Sequence, residues 1–281
     1  MKCAWDSFIN LIPLWMRESV NRIGRDALRE LRMRINAPPE LVMTGKSVFL
    51  TRRTTREDID FTINLATQYS PWSSETVREG FITVPGGHRF GLCGIIMHDH
   101  RNAHVFSTVT SLCIRIARDF PGIAKSAAFD GSVLIIGRPG CGKTTFLRDL
   151  VRQISIQRGC RVAVVDERQE VFPIAGNAYC FDTGETVDVL SGCSKAVGIQ
   201  MVLRTMTPSV IAVDEITAQV DADALIHSIG CGVSLLATAH ASSVEDLRRR
   251  NIYRPLLEQN IFQFVVLLNR DATWRVERCA G

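Results

Sequence analysis

The octapeptide Gly137-Arg138-Pro139-Gly140-Cys141-Gly142-Lys143-Thr144 constrains this chain more than any other segment. It follows the apolar run Val133-Leu134-Ile135-Ile136 and precedes a helix-forming stretch that contains Arg148 and Leu150. Glycines at 137, 140 and 142 let successive backbone N–H groups converge on one point, and a helix starting there adds positive potential. The pattern GxxxxGK[ST] is met at every defined position in its strand-to-helix context, so Gly137, Arg138, Pro139, Gly140, Cys141, Gly142, Lys143, Thr144 and Thr145 are the candidate nucleotide-binding residues. Lys143 is expected on the β- and γ-phosphates and the Thr144 hydroxyl on Mg²⁺. Cys141 occupies a free position of the pattern and needs no redox role.

What surrounds the loop is patterned to match. Fully apolar strands are expected at Val133 to Ile136, Val162 to Val165, Val210 to Val213 and Ser234 to Thr238, separated by helical stretches. Continuous apolar strands alternating with helices belong to a parallel sheet covered on both faces. Val210-Ile211-Ala212-Val213-Asp214-Glu215 ends such a strand in two acids. Asp214 is expected to hold Mg²⁺ through water, and Glu215 to orient or deprotonate an attacking water, which favours hydrolysis over transfer to a bound acceptor. No Asn-Lys-x-Asp sequence of the kind that reads guanine is present, so ATP is favoured over GTP. His240 ends Leu235 to Ala239, where it would sense the γ-phosphate or serve only as a hydrogen-bonded strand end. Asp166-Glu167-Arg168 forms a second acidic group at a strand's C-terminal end, either at the ligand or in a solvated turn.

The first part of the chain is built differently. Trp5, Phe8, Ile9 and Ile12 have helical spacing, and a second helical pattern runs after Pro13 through Ile23, Ala27, Leu28 and Leu31. Alternation over Leu31 to Ile35 predicts a strand, with further strands at Leu41 to Met43 and Val48 to Leu50. Thr54 with Glu57 would cap a helix bearing Ile59, Ile63, Ala66 and Tyr69. Gly80 to Val84 and Arg89 to Ile96 flank Pro85-Gly86-Gly87 as a hairpin, and Leu112 to Arg118 is a strand leading to Pro121-Gly122. Toward the C-terminus, Phe264 to Leu268, a turn at Asn269-Arg270-Asp271 and Trp274 to Glu277 predict an antiparallel pair at one sheet edge. Two domains are expected, a small α+β domain with its linker strand over residues 1–120 and the α/β domain over 121–281.

Charge and cysteine content narrow the classes. Residues 1–125 hold 17 Lys and Arg against 12 Asp and Glu, a net +5, while 126–281 carry 16 against 17, a net −1. That excess is too small and interspersed to indicate nucleic-acid binding on its own, and the absence of an aromatic platform interleaved with it weakens that reading without excluding it. The nine cysteines are scattered singly, which predicts reduced thiols rather than a disulfide framework or zinc site. No apolar run approaches the roughly 20 residues of a membrane span, and no export signal is read at the N-terminus, so a cytoplasmic protein is expected. His98, His100 and His104 lie in a polar turn and are expected as an exposed loop. Arg248-Arg249-Arg250 with Glu245 and Asp246 is a solvated helix face or a subunit contact.

The order of motifs resembles the stage III sporulation protein AA family, a branch of the secretion-type ATPases of type II and type IV secretion and pilus dynamics. The likeness runs through the phosphate loop, Val165 to Arg168, Asp188 to Ala196, Leu203 to Pro208 with Asp214-Glu215, and Ala237 to His240. It extends to Glu30 to Arg34, Gly80 to Arg89 and Ile114 to Arg118, and so covers nearly the whole chain. The resemblance implies a RecA-like P-loop ATPase core behind a smaller N-terminal α+β domain, and assembly as a hexamer. It implies catalytic roles for Glu215, for Glu167 of the acidic box and for His240 of the histidine box. Arginines of the N-terminal domain and linker would meet the phosphates; Arg115 and Arg118 match best, with Arg89 behind them. The implied work is to power a channel or secretion complex between mother cell and forespore, from the mother-cell cytoplasm, docked at the membrane through membrane-protein partners. A nucleic-acid motor built on the same core is the alternative.

Overall fold

Two large sheets of opposite character organise the chain, one antiparallel throughout and one parallel except at its last strand. The structure, a computed structural model, describes residues 1–67, 80–98, 104–175, 178–269, 271 and 273–279. The chain divides into two compact units. The first comprises Met1–Asp119 with Pro173–Phe181, and the second Phe120–Phe172 with Asp182–Gly281.

The first unit opens with helices α1 (Trp5–Leu11) and α2 (Leu14–Ile23). The helical pattern does not continue to Leu31 as the spacing predicts. Gly24 takes φ +80°, an ordinary conformation only for a residue without Cβ, and its N–H closes the last turn on Val20. Leu28 and Leu31 are instead core residues of strand β1 (Leu28–Arg34), which joins β2 (Glu40–Met43) and β3 (Lys46–Phe49). Helix α3 (Arg56–Ala66) is capped one residue later than expected, with Asp58 N–H donating to Thr55 Oγ1 and Thr55 N–H to Asp58 Oδ2. Thr54 is buried and its N–H is committed to the Ala37 carbonyl. Ile59, Ile63 and Ala66 face the core as the periodicity requires, whereas Tyr69 lies outside the described residues.

Strands β4 (Phe81–Thr83), β5 (Arg89–His98) and β6 (His104–Arg115) complete a sheet in the order β3-β2-β1-β6-β5-β4. The chain beyond β6 still donates from Ile116 to the Arg29 carbonyl, but Ala117 and Arg118 lie past the strand. Of the three histidines expected in an exposed loop, His98 ends β5 and His104 begins β6, while His100 and the other residues of 99–103 lie outside the described residues.

The second unit is built on β7 (Val133–Ile136), α4 (Lys143–Arg158) and β8 (Val162–Asp166). The short strands β9 (Ile174–Ala175) and β10 (Ala178–Tyr179) pair within Pro173–Phe181, the segment that groups with the first unit although it lies within residues 121–281. Then come β11 (Val187–Ser191), α5 (Lys195–Thr205), β12 (Val210–Val213), α6 (Gln219–Ile229) and β13 (Ser234–Ala239). Helices α7 (Val244–Arg248) and α8 (Arg254–Glu258) precede β14 (Phe264–Leu268) and β15 (Trp274–Arg278). The order is β11-β8-β12-β13-β7-β14-β15. Only β15 runs antiparallel, pairing with β14 as the sequence predicts. All residues of β7, β8 and β12 are buried, which explains their unbroken apolar character. The half-exposed edge strand β11 lacks that signal, and the apolar pattern does not predict it.

Helix α4, which starts at the phosphate loop, is fixed by three buried ionisable residues. Asp149 accepts from Gly122 N–H at 3.0 Å, Ala124 N–H at 2.8 Å and Arg152 Nη1 at 2.8 Å. Arg152 also donates to the Asp182 carbonyl, and Arg148 to the carbonyls of Glu170 and Val171. The side chains of Asp149 and Arg152 are 0% and 3% exposed, so removing one strands the other's charge away from water. Asp149→Ala is therefore expected to cost about 3–5 kcal/mol of stability, seen as a lower urea midpoint with an unchanged slope.

Candidate functional site

Three adjacent parallel strands, β12, β13 and β7, bring their C-terminal ends together, and each supplies a different polar group there. After β7 the chain enters the phosphate loop. A Cβ at Gly137 would stand 2.8 Å from the Leu268 carbonyl oxygen, so only glycine lets the loop pass β14 this closely. Gly142, at φ +98°, turns the chain into α4 with N–H groups leading the helix. Arg138, Pro139 and Gly140 are exposed, Cys141 is buried, and Thr145 is half-buried on the first turn of α4.

Lys143 is only 7% exposed. Its Nζ donates to the carbonyls of Gly137 at 3.0 Å and Arg138 at 3.3 Å, and lies 2.8 Å from His240 Nδ1. Burial lowers its pKa, against the opposing pull of Cys141, Asp214 and Glu215. An ammonium has no lone pair to offer, so Nδ1 accepts and the His240 proton sits on Nε2. That nitrogen is 2.9 Å from Glu215 Oε1, and His240 thus bridges the lysine of the loop and the acid after β12.

A second chain of contacts fixes Asp214. Thr144 Oγ1 donates to its Oδ2 at 2.7 Å, and Thr238 Oγ1 donates to its Oδ1 at 2.5 Å. Thr238, buried at 1% exposure on β13, also accepts from Glu215 N–H at 2.8 Å. Glu215 itself holds φ +54°, a left-handed conformation that a non-glycine residue adopts only when its surroundings impose it.

Asp166 and Glu167 part company. Asp166 is buried and accepts N–H groups from Glu170, Val171 and Phe172 at 2.9, 3.0 and 2.8 Å, so its carboxylate shapes the following loop. Glu167 faces a cleft lined also by Lys195, Asp214, Glu215 and Thr217, and pairs with Lys195 Nζ. Lys195 and Thr238 escape a reading of single residues. The signal of Thr238 is a lone polar group between two alanines of an apolar strand, which must find a partner when buried; Lys195, after Ser194, carries no such signal.

Arg115 and Arg118 belong to the first unit. The Arg115 side chain is 65% exposed, with Nε 3.8 Å from Glu30 Oε1. Arg118 is 8% exposed and donates to the Asp26 carbonyl; burial and then the charge of Arg29 lower its pKa. Arg89 lies over the Phe81 ring at 3.8 Å. In the Arg248 to Arg250 run, all three residues are exposed, yet Arg250 pairs with Asp246 and donates to the His240 carbonyl at 2.8 Å. All nine cysteines are free. Among the described residues no helix is long and apolar enough to cross a membrane.

The fold is that of the secretion-type P-loop ATPases, with a RecA-like core. The chain is similar to the ATPase DotB of Legionella pneumophila, at a TM-score of 0.57 and 15% identity over 95% of this chain and 80% of that one. It is also similar to the pilus retraction motor PilT solved with bound ADP, at a TM-score of 0.60 and 18% identity over 89% and 76%. The model of the family "Sporulation stage III, protein AA" matches residues 8–277. The stage III sporulation protein AA of Bacillus subtilis (strain 168) is 34% identical over 274 residues, 92% of this chain and 89% of that protein. The chain belongs to the stage III sporulation protein AA family.

Burial pushes the Asp166 carboxyl from the ordinary 3.8 up to about 6; its three N–H donors oppose this and the charge of Asp214 adds to it. Between those values the folded state holds a proton that the unfolded chain has released. Stability therefore falls as pH rises through this window, by on the order of 3 kcal/mol. Urea unfolding of the wild type from pH 4 to pH 7 is expected to show that fall, and Asp166→Asn to lack it.

Proposed function

We propose that the protein binds ATP with Mg²⁺ at the loop from Gly137 to Thr145 and hydrolyses it, as a motor of the secretion-ATPase type. One observation carries this reading. Two contact chains, Lys143 to His240 to Glu215 and Thr144 to Asp214 to Thr238, close on each other through the Glu215 N–H. The oxygens of Thr144 and Asp214, 2.7 Å apart, are the hard donors that Mg²⁺ takes beside phosphate and water. Bound there, Mg²⁺ supplies neutralising charge to the phosphate oxygens.

The chain's own groups do the rest. Lys143 exchanges its two carbonyl partners for phosphate oxygens, aided by the N–H groups of the loop. Glu215 takes the proton from the attacking water. His240, between Lys143 and Glu215, makes the position of the acid depend on where the lysine is engaged. Glu167 orders the water cleft from its other side. Arg115 and Arg118 are assigned to the phosphates of a ring of identical subunits, and the exposure of Arg115 favours it as the arginine that reaches a neighbour's site.

Family membership supports a role in spore formation. Within it we assign the protein to a hexameric ring in the mother-cell cytoplasm. The ring docks on membrane proteins and drives a channel or secretion complex toward the forespore.

Lys143→Ala is expected to weaken nucleotide binding in calorimetric titration. Glu215→Gln is expected to bind ATP normally and hydrolyse it about a hundredfold more slowly or worse; an unchanged rate removes Glu215 from the reaction. Arg115→Ala should lower turnover more than affinity, and an unaltered rate would exclude it. Co-purification with a membrane protein of the sporulating cell supports the secretion role, whereas stimulation of hydrolysis by DNA or RNA points to a nucleic-acid motor.

A further inference from the structure

A single ammonium group joins the two loops that carry Glu167 and Glu215. Lys195, the first residue of α5, is 7% exposed; its Nζ pairs with the Glu167 carboxylate and lies 3.7 Å from Asp221 Oδ2. Asp221 is itself buried, and the same oxygen accepts N–H groups of Thr217 and Ala218 at 3.2 Å each, just beyond Glu215. On the other side, Glu167 directly follows Asp166, whose carboxylate is already occupied by the loop amides of Glu170 to Phe172. The ammonium therefore ties the turn after β8 to the turn after β12, across the cleft that both line.

The electrostatics require such a tie. Asp166, Glu167, Glu170, Asp214 and Glu215 line this cleft against two cations, Arg168 and Lys195, and like charges so grouped repel one another. The Glu167 side chain is 36% exposed and has water within reach, so without its pairing to Lys195 it gains both solvation and rotamer freedom by turning outward. A buried lysine, in turn, needs anionic partners to offset its desolvation.

We infer that Lys195 is a positioning residue for hydrolysis: it fixes the Glu167 carboxylate opposite Glu215, so that water in the cleft is ordered between two held acids. This rests on the hydrolytic function proposed above. Among the described residues the ion pairs of Lys195 are with Glu167 and Asp221, so it acts on turnover and not on nucleotide affinity.

The test compares Lys195→Met, Glu167→Gln and the double variant with the wild type, all well below their melting temperatures. Lys195→Met is expected to lower kcat about 10- to 100-fold, the scale of a misplaced catalytic group, while KM and the affinity for a fluorescent ADP analogue stay within about twofold. Glu167→Gln should lose a similar factor. The double variant should be no slower than the slower single variant, because residues acting through one another are not additive. A wild-type rate in Lys195→Met, multiplied losses in the double variant, or a Glu167→Gln enzyme as fast as wild type would each overturn the role. Should Lys195→Met alone not fold, Lys195→Gln in the Glu167→Gln background decides the matter. An unchanged rate relative to Glu167→Gln supports the role, and a further loss of about tenfold or more overturns it. A wild type without ATPase activity would overturn hydrolysis itself and this role with it, whereas an active wild type with an unimpaired Lys195→Met overturns the role of Lys195 alone.

Discussion

The Asp214 carboxylate, gripped between Thr144 and Thr238, is the interaction on which the site depends. It joins the start of α4, the middle strand β13 and the end of β12 at one point. The parallel sheet makes this possible. Because β7, β8 and β12 are buried along their whole length, polar groups find room only where these strands end, and parallel strands all end on the same side. Thr238 is the exception inside the sheet, and its hydroxyl is spent on both sides: it donates to Asp214 and accepts from Glu215 N–H. The left-handed backbone at Glu215 follows from being held there while its carboxylate meets His240.

Around this point the protein uses buried charge to hold loops in place. Asp149, Arg148 and Arg152 tie α4 to the main chain at Gly122, Ala124, Glu170, Val171 and Asp182. Asp166 does the same for the loop after β8, and Lys195 with Asp221 for the loop after β12. Such groups gain little net free energy over apolar replacements, since desolvation offsets most of their attraction. What they provide is geometry, for each finds its partners in the loops as they stand here. A P-loop core recurs with many activities, so the chemistry rests on these held groups rather than on the fold shared with DotB and PilT.

Much of this was legible in the sequence, for reasons that differ by residue. The phosphate loop, the apolar strands and the acids after β12 are local patterns set by backbone chemistry and burial, and they stand where their spacing puts them. The hairpin around Pro85 and the final antiparallel pair are equally local. The misplaced features depended on competition between neighbours. The helical spacing through Leu28 and Leu31 yielded to Gly24, and the α3 cap moved to Thr55 because Thr54 is drawn into pairing with Ala37. Pro173–Phe181 groups with the first unit through contacts distant in sequence, which no local pattern records.

By itself, then, the sequence determined that a GxxxxGK[ST] loop follows one apolar strand of a parallel sheet, with acids and a histidine at the ends of other strands. Periodicity, glycine and proline act over a few residues, and that range suffices. Only the tertiary structure decided which of those groups meet: that His240 bridges Lys143 and Glu215, that Asp166 serves the backbone while Glu167 faces the cleft, and that Lys195 joins two loops 28 and 26 residues away from it in Glu167 and Asp221. Those pairings are set by strand order and by the need of each buried charge for a partner, neither of which is written in any one stretch of chain.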